Sequence, residues 1–144
     1  MSLEVVWNRL PHVRRAEAVA TAPAALGGDS TYAATVRCET AEDEIRWFET
    51  GVTRRECCEF AATNAYRFTR DGNALHIAHL RVGDPVHLVT LADSPAALES
   101  TSPHVCGPDL YSLRLTLHTN GLLMVWRIES PLGVAAIHAT YSMP

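Results

Sequence analysis

The residues best equipped for chemistry lie close together late in the chain: His104, Cys106, Asp109 and Tyr111. An imidazole, a thiol, a carboxylate and a phenol at this spacing can ligate a metal or act as an acid–base group. They also have a plainer use. Asp109 can cap backbone N–H groups of a loop, Cys106 can fill a small apolar gap, and His104 can bond a carbonyl. No further ligand is tied to them by spacing, so no metal is assigned and the plainer use is preferred.

A second set consists of large side chains on alternating segments: Trp47, Tyr66, Phe68, Tyr111, Met124, Trp126 and Tyr141. Such residues build a core, or they line a cup that holds a ligand. Aromatic rings supply rigid walls, and methionine adapts to irregular shapes. Tyr66, Tyr111 and His104 are the candidates to hydrogen-bond a substrate or exchange a proton with it. Trp47, Phe68, Met124, Trp126, Tyr141 and Cys106 are the candidates to line the ligand. A buried arginine facing inward, such as Arg114 or Arg127, would anchor a carboxylate. Arg14-Arg15 and Arg54-Arg55 read as solvated edge charges.

The remaining histidines carry little signal. His76 and His79 fall on opposite faces of one strand, because side chains alternate along it. They cannot share an ion without distortion. Neither they nor His87 and His138 are marked as a haem ligand. The cysteines are Cys38, Cys57, Cys58 and Cys106, and no Cys-x-x-Cys pair occurs. Thiols rather than disulfides are expected, with Cys57 and Cys58 on opposite faces of a strand.

These groups must be positioned by strands. Tyr32, Ala34, Val36 and Cys38 alternate with polar or small neighbours, as do Ile45 and Trp47. Further runs cover about 56–69, then Leu75, Ile77 and His79, then 86–91. Tyr111, Leu113, Leu115 and Leu117 follow, then Leu122, Met124, Trp126 and Ile128, then Ala135, Ile137, Ala139 and Tyr141. Asp71-Gly72, Gly83-Asp84-Pro85, Asn120-Gly121 and Pro131-Leu132-Gly133 punctuate them as turns. Residues 92–108 read as one long loop. Leu3, Val6, Trp7 and Leu10 share a helical face, and Pro11 ends that helix.

This pattern predicts eight or nine antiparallel strands with a short N-terminal helix, in one domain spanning 1–144. Sequential strands with one apolar face bury it by closing into an up-and-down, lipocalin-like barrel, and closure removes the sheet edges. No long amphipathic helix intervenes to support a parallel α/β sheet.

Composition narrows the function. The chain of 144 residues has a net charge of −4, and all twelve of its basic residues are arginine. Lysine Schiff-base chemistry is therefore excluded. The acidic balance gives no footprint for nucleic acid. No apolar run is long enough for a membrane helix, and no secretory leader is evident, so a cytoplasmic location is expected. Phosphate-loop, dinucleotide and nucleophile-elbow motifs do not occur.

The C-terminal third also carries a resemblance. His104-x-Cys106-x-x-Asp109-x-Tyr111, then Trp126-Arg127-Ile128-x-x-Pro131, then a strand ending at Tyr141, resembles the DUF6314 group of small bacterial and fungal lipocalin-like proteins. Tyr66-x-Phe68 with Gly72 fits the same pattern more loosely. At the hairpin this chain departs from the group: Ser130 replaces a usual glycine, and Leu132-Gly133 stand where a basic residue is expected. The resemblance implies a lipocalin-like barrel and leaves the activity open.

Two functions fit such a barrel. One is a cofactor-free cyclase or isomerase of natural-product biosynthesis, in which the walls hold an apolar substrate in a reactive shape. The other is a non-catalytic carrier or sensor of a lipid-like molecule or haem. Both expect an apolar small molecule as partner, with a homodimer as a candidate assembly.

Overall fold

A computed structural model describes residues 2–56 and 58–144. Cys57, and with it the expected facing of the Cys57-Cys58 pair, lies outside the described residues. The chain starts with helix α1 (Leu3–Arg9) and a short turn of tighter helix, Leu10–His12. Eleven strands follow: β1 (Arg15–Thr21), β2 (Ser30–Ala41), β3 (Glu44–Arg55), β4 (Cys58–Asp71), β5 (Ala74–His79), β6 (Val86–Asp93), β7 (Leu98–Ser100), β8 (His104–Cys106), β9 (Asp109–His118), β10 (Gly121–Ser130) and β11 (Gly133–Ser142). None of the described helices is long and apolar enough to cross a membrane.

Every pairing is antiparallel, and β9 pairs with β10 to close the sheet on itself. The closed ring has ten strands, β1 to β7 and β9 to β11, and β8 lies outside it, paired to β9. The expected eight or nine strands are therefore corrected to ten plus one. The extra strands are β7 and β8, inside the segment expected to be a loop. Three residues are too few to display a two-residue period, so these strands leave no pattern to read.

One end of the barrel is plugged. Leu3, Val6 and Leu10 are buried and pack on the strand interiors, as the helical face predicts. Arg9 donates to the carbonyls of His118 and Gly121 at the β9–β10 turn, at 2.7 and 2.8 Å. Arg70 bonds Glu4 and stacks its guanidinium 4.8 Å from the Trp7 ring, which ties the helix to the β4–β5 hairpin. Trp47 then roofs the plug. It is fully buried, its indole N–H donates to the Leu10 carbonyl at 2.8 Å, and its ring lies 4.5 Å from Phe68 and 4.7 Å from Tyr141.

The β3–β4 hairpin sets the height of everything above. Its paired inward positions run from plug to mouth as Ile45 with Phe68, Trp47 with Tyr66, Glu49 with Asn64, Gly51 with Ala62, and Thr53 with Phe60. The hairpin also outruns its neighbour. β5 pairs with β4 only over Tyr66–Asp71, and the Leu80 amide bonds the Ala65 carbonyl where the pairing ends. The upper half of β4 is thus paired, among the described residues, to β3 alone.

Gly51 is what lets β2 and β3 bend over the lumen. A Cβ there would sit 2.0 Å from the Ala33 carbonyl oxygen and 2.6 Å from the Ala34 Cα. Both are backbone atoms in the paired strand, so neither can move aside. Gly51→Ala is expected to cost about 3 kcal/mol through overpacking, read by thermal or urea unfolding. An unchanged unfolding midpoint would show that the strands have slack at this point.

Candidate functional site

Above Trp47 the barrel holds two cavity lobes that share Tyr66, Trp126 and Ile137. The first lobe, about 210 Å³, is walled by β1, β2, β3, β4, β10 and β11, with Tyr32, Glu49, Asn64 and Tyr141 among its polar groups. The second, about 260 Å³, lies under the β8–β9 hairpin and is lined by Arg81, Leu88, His104, Cys106, Tyr111 and Ile128 besides the shared residues.

Glu49 is the chemical centre of the first lobe. It is the one buried charged or polar residue of the described core, 2% exposed. Its place follows from the period of β3, which turns every second side chain inward after Ile45 and Trp47. Glu49 Oε1 accepts a hydrogen bond from the Tyr32 hydroxyl at 2.9 Å, and the Asn64 amide donates to that same hydroxyl at 3.4 Å. Oε2 is buried with no hydrogen-bond partner among the described residues. Burial raises the pKa of Glu49 above the ordinary glutamate value, and the facing Tyr32, Tyr141 and Asn64 groups offset only part of that rise. An unpaired buried carboxyl oxygen is costly, and its retention beside a cavity marks a functional candidate.

The surrounding phenols stay protonated. Burial, then the negative field of Glu49, pushes Tyr32, Tyr66 and Tyr141 well above the usual tyrosine range. They are therefore donors at any working pH. Tyr32→Phe removes a direct hydrogen bond to the carboxylate, the largest of the contacts that hold the Glu49 pKa down. The expected result is a further rise of that pKa, followed by NMR titration of the labelled carboxyl carbon.

The sequence-predicted residues divide into two groups. Tyr66, Trp126 and Tyr141 line the first lobe, and Tyr66, Trp126, His104, Cys106 and Tyr111 line the second. Trp47, Phe68 and Met124 line neither lobe. They are buried in the packed layer beneath. His104 and Tyr111 are cross-strand partners with rings 6.1 Å apart. Among the described residues, no three His, Cys, Asp or Glu side chains converge to hold a metal. Arg114 and Arg127 face outward and pair with Glu99 at 3.2 Å and Glu129 at 3.0 Å, which corrects the expectation of a lumen arginine at those positions. Arg54 pairs with Glu59 and Arg15 with Glu17 on the surface, as edge charges should. His76 and His87 meet on β5 and β6 through Thr90, at 2.9 and 3.2 Å.

Glu49, Tyr32, Asn64 and Arg81 were not singled out by the sequence. The available signal for Glu49 was a carboxylate at the parity of Ile45 and Trp47. Asn64 carries the same signal two positions before Tyr66.

The fold and site together define a plugged antiparallel barrel with a carboxyl-bearing lumen. The chain belongs to the family of unknown function DUF6314, whose family model matches residues 13–143. That stretch takes in all eleven strands and leaves out the plug helix. No curated protein and no solved structure matches the chain.

Proposed function

We propose that the lumen binds an apolar small molecule and that Glu49 moves a proton on it, making the protein a cofactor-free isomerase or cyclase. The supporting observation is the buried Glu49 carboxyl in the wall of the first lobe, with one oxygen held by Tyr32 and the other buried without a partner among the described residues. The carboxylate takes a proton from a carbon next to a carbonyl. The electron pair moves onto the carbonyl oxygen, where a phenol such as Tyr66 donates a hydrogen bond. The proton returns to another carbon, or the enolate carbon attacks a second carbonyl of the same molecule to close a ring, the C=O π pair moving onto that oxygen, which takes the proton back from Glu49. Atoms and electrons balance without a co-reactant. A carboxylate with a raised pKa is a stronger base than one in water.

The test uses two probes. Nile red, a neutral dye that brightens in apolar surroundings, reports the lumen. Nitrobenzisoxazole, which opens to a coloured phenolate when its ring proton is removed, reports the base. Dye binding together with ring opening that Glu49→Gln abolishes is the expected result. Dye binding without any ring opening reduces the function to carriage, and failure of both overturns the reading.

A further inference from the structure

The two lobes differ in charge. Among the lining residues, Glu49 is the only carboxyl of the first and Arg81 the only guanidinium of the second, which holds no carboxylate. Between them lie Tyr66, Trp126 and Ile137, with Leu88 and Ile128 on the Arg81 side. The two lobes therefore meet at Tyr66, Trp126 and Ile137, with a carboxyl in one and a cation in the other.

Arg81 is also unusual among the arginines. Arg15, Arg37, Arg46, Arg54, Arg67, Arg70, Arg114 and Arg127 each face a carboxylate, with Arg46 and Arg67 sharing Glu44. Arg9 and Arg14 donate to backbone carbonyls. Arg81 has neither kind of partner among the described residues, a trait it shares with Arg55, and of the two only Arg81 lines a lobe. Its Nε donates to His79 Nδ1 at 3.3 Å, which leaves the terminal N–H groups for another acceptor. It sits just past β5, exposed to solvent, and lines the second lobe with His104, Cys106 and Tyr111 of the β8–β9 hairpin. A planar fork beside an apolar wall suits a carboxylate, which it can grip with two bonds.

We infer that the ligand is an apolar molecule carrying one carboxylate, seated with that group on Arg81 and its reacting end at Glu49. This rests on the proposed function for the reacting end and stands apart from it for the anionic end. Arg81 is a binding residue that selects and orients the ligand. His79 is a positioning residue for Arg81.

Decanoate and decanol separate the two ends, because they share a chain and differ in charge. Each is titrated as a competitor of Nile red. Decanoate is expected to displace the dye at roughly a tenth of the decanol concentration, the gain of one charged hydrogen-bonded contact. Arg81→Gln should abolish that preference and leave decanol unchanged. Arg55→Gln, an arginine outside both lobes, should keep it. Equal competition by the two compounds in the native protein overturns the carboxylate seat and leaves the lumen reading standing. Retention of the preference in Arg81→Gln does the same. If neither compound nor dye binds, the lumen reading falls, and this inference falls with it.

Discussion

Trp47→Ala is expected to cost about 3–5 kcal/mol, the range for removing a large buried aromatic. The residue joins three parts of the molecule. Its ring is packed between Phe68 of β4 and Tyr141 of β11, and its N–H satisfies the Leu10 carbonyl of the plug. Removing it empties a layer and leaves that carbonyl only the weak Cys38 thiol donor at 3.6 Å. Trp47→Phe separates the two effects, since it keeps an aromatic ring and loses the donor. That variant should cost about 1–3 kcal/mol, the penalty of an unmade buried hydrogen bond together with a small void. Urea unfolding of both variants measures the costs. A Trp47→Ala protein within about 1 kcal/mol of the parent would mean that the plug and barrel do not share this layer.

That layer explains why part of the site was legible and part was not. A strand with strict alternation declares which residues share a face, and Tyr66, Trp126 and Tyr141 follow from that rule. The rule says nothing about height along the barrel axis. Trp47, Phe68 and Met124 have the inward parity of the lumen residues, yet sit beneath the cavity because the plug helix fills that end. Height is set by the plug and by the long β3–β4 hairpin, both of which are tertiary facts. The turns at Asp71-Gly72 and Asn120-Gly121 were readable, since their chemistry is local. Strands β7 and β8 were not, since three residues carry no period. Glu49 was hidden for a different reason. A carboxylate on an apolar face looks like the end of the alternation, whereas here it continues it. Arg81 lies outside the strands, and its role depends on the second lobe that the folded barrel sets beside it.

The same carboxyl links function to stability. Burial raises the Glu49 pKa, so the folded state holds this proton more tightly than the unfolded chain does. Between the ordinary glutamate value, about 4.3, and the raised folded value, the folded state binds more protons. Stability from this group therefore falls as pH rises through that window, and the penalty is constant above it. Glu49→Gln keeps the shape and removes the charge. It should be more stable than the parent at about pH 8, by about 1–3 kcal/mol, the scale of an unsatisfied buried group. The difference should shrink towards zero as pH falls to the ordinary glutamate range. Nitrobenzisoxazole opening should drop by roughly a hundred- to ten-thousand-fold in the same variant, the usual contribution of a positioned base. Melting curves across pH and the rate assay are run on one preparation. A variant that loses stability at every pH would show that Glu49 supports the fold through its charge. A group kept against the interests of stability is what a proton-transfer site requires, and the opposite signs of the two effects are its signature.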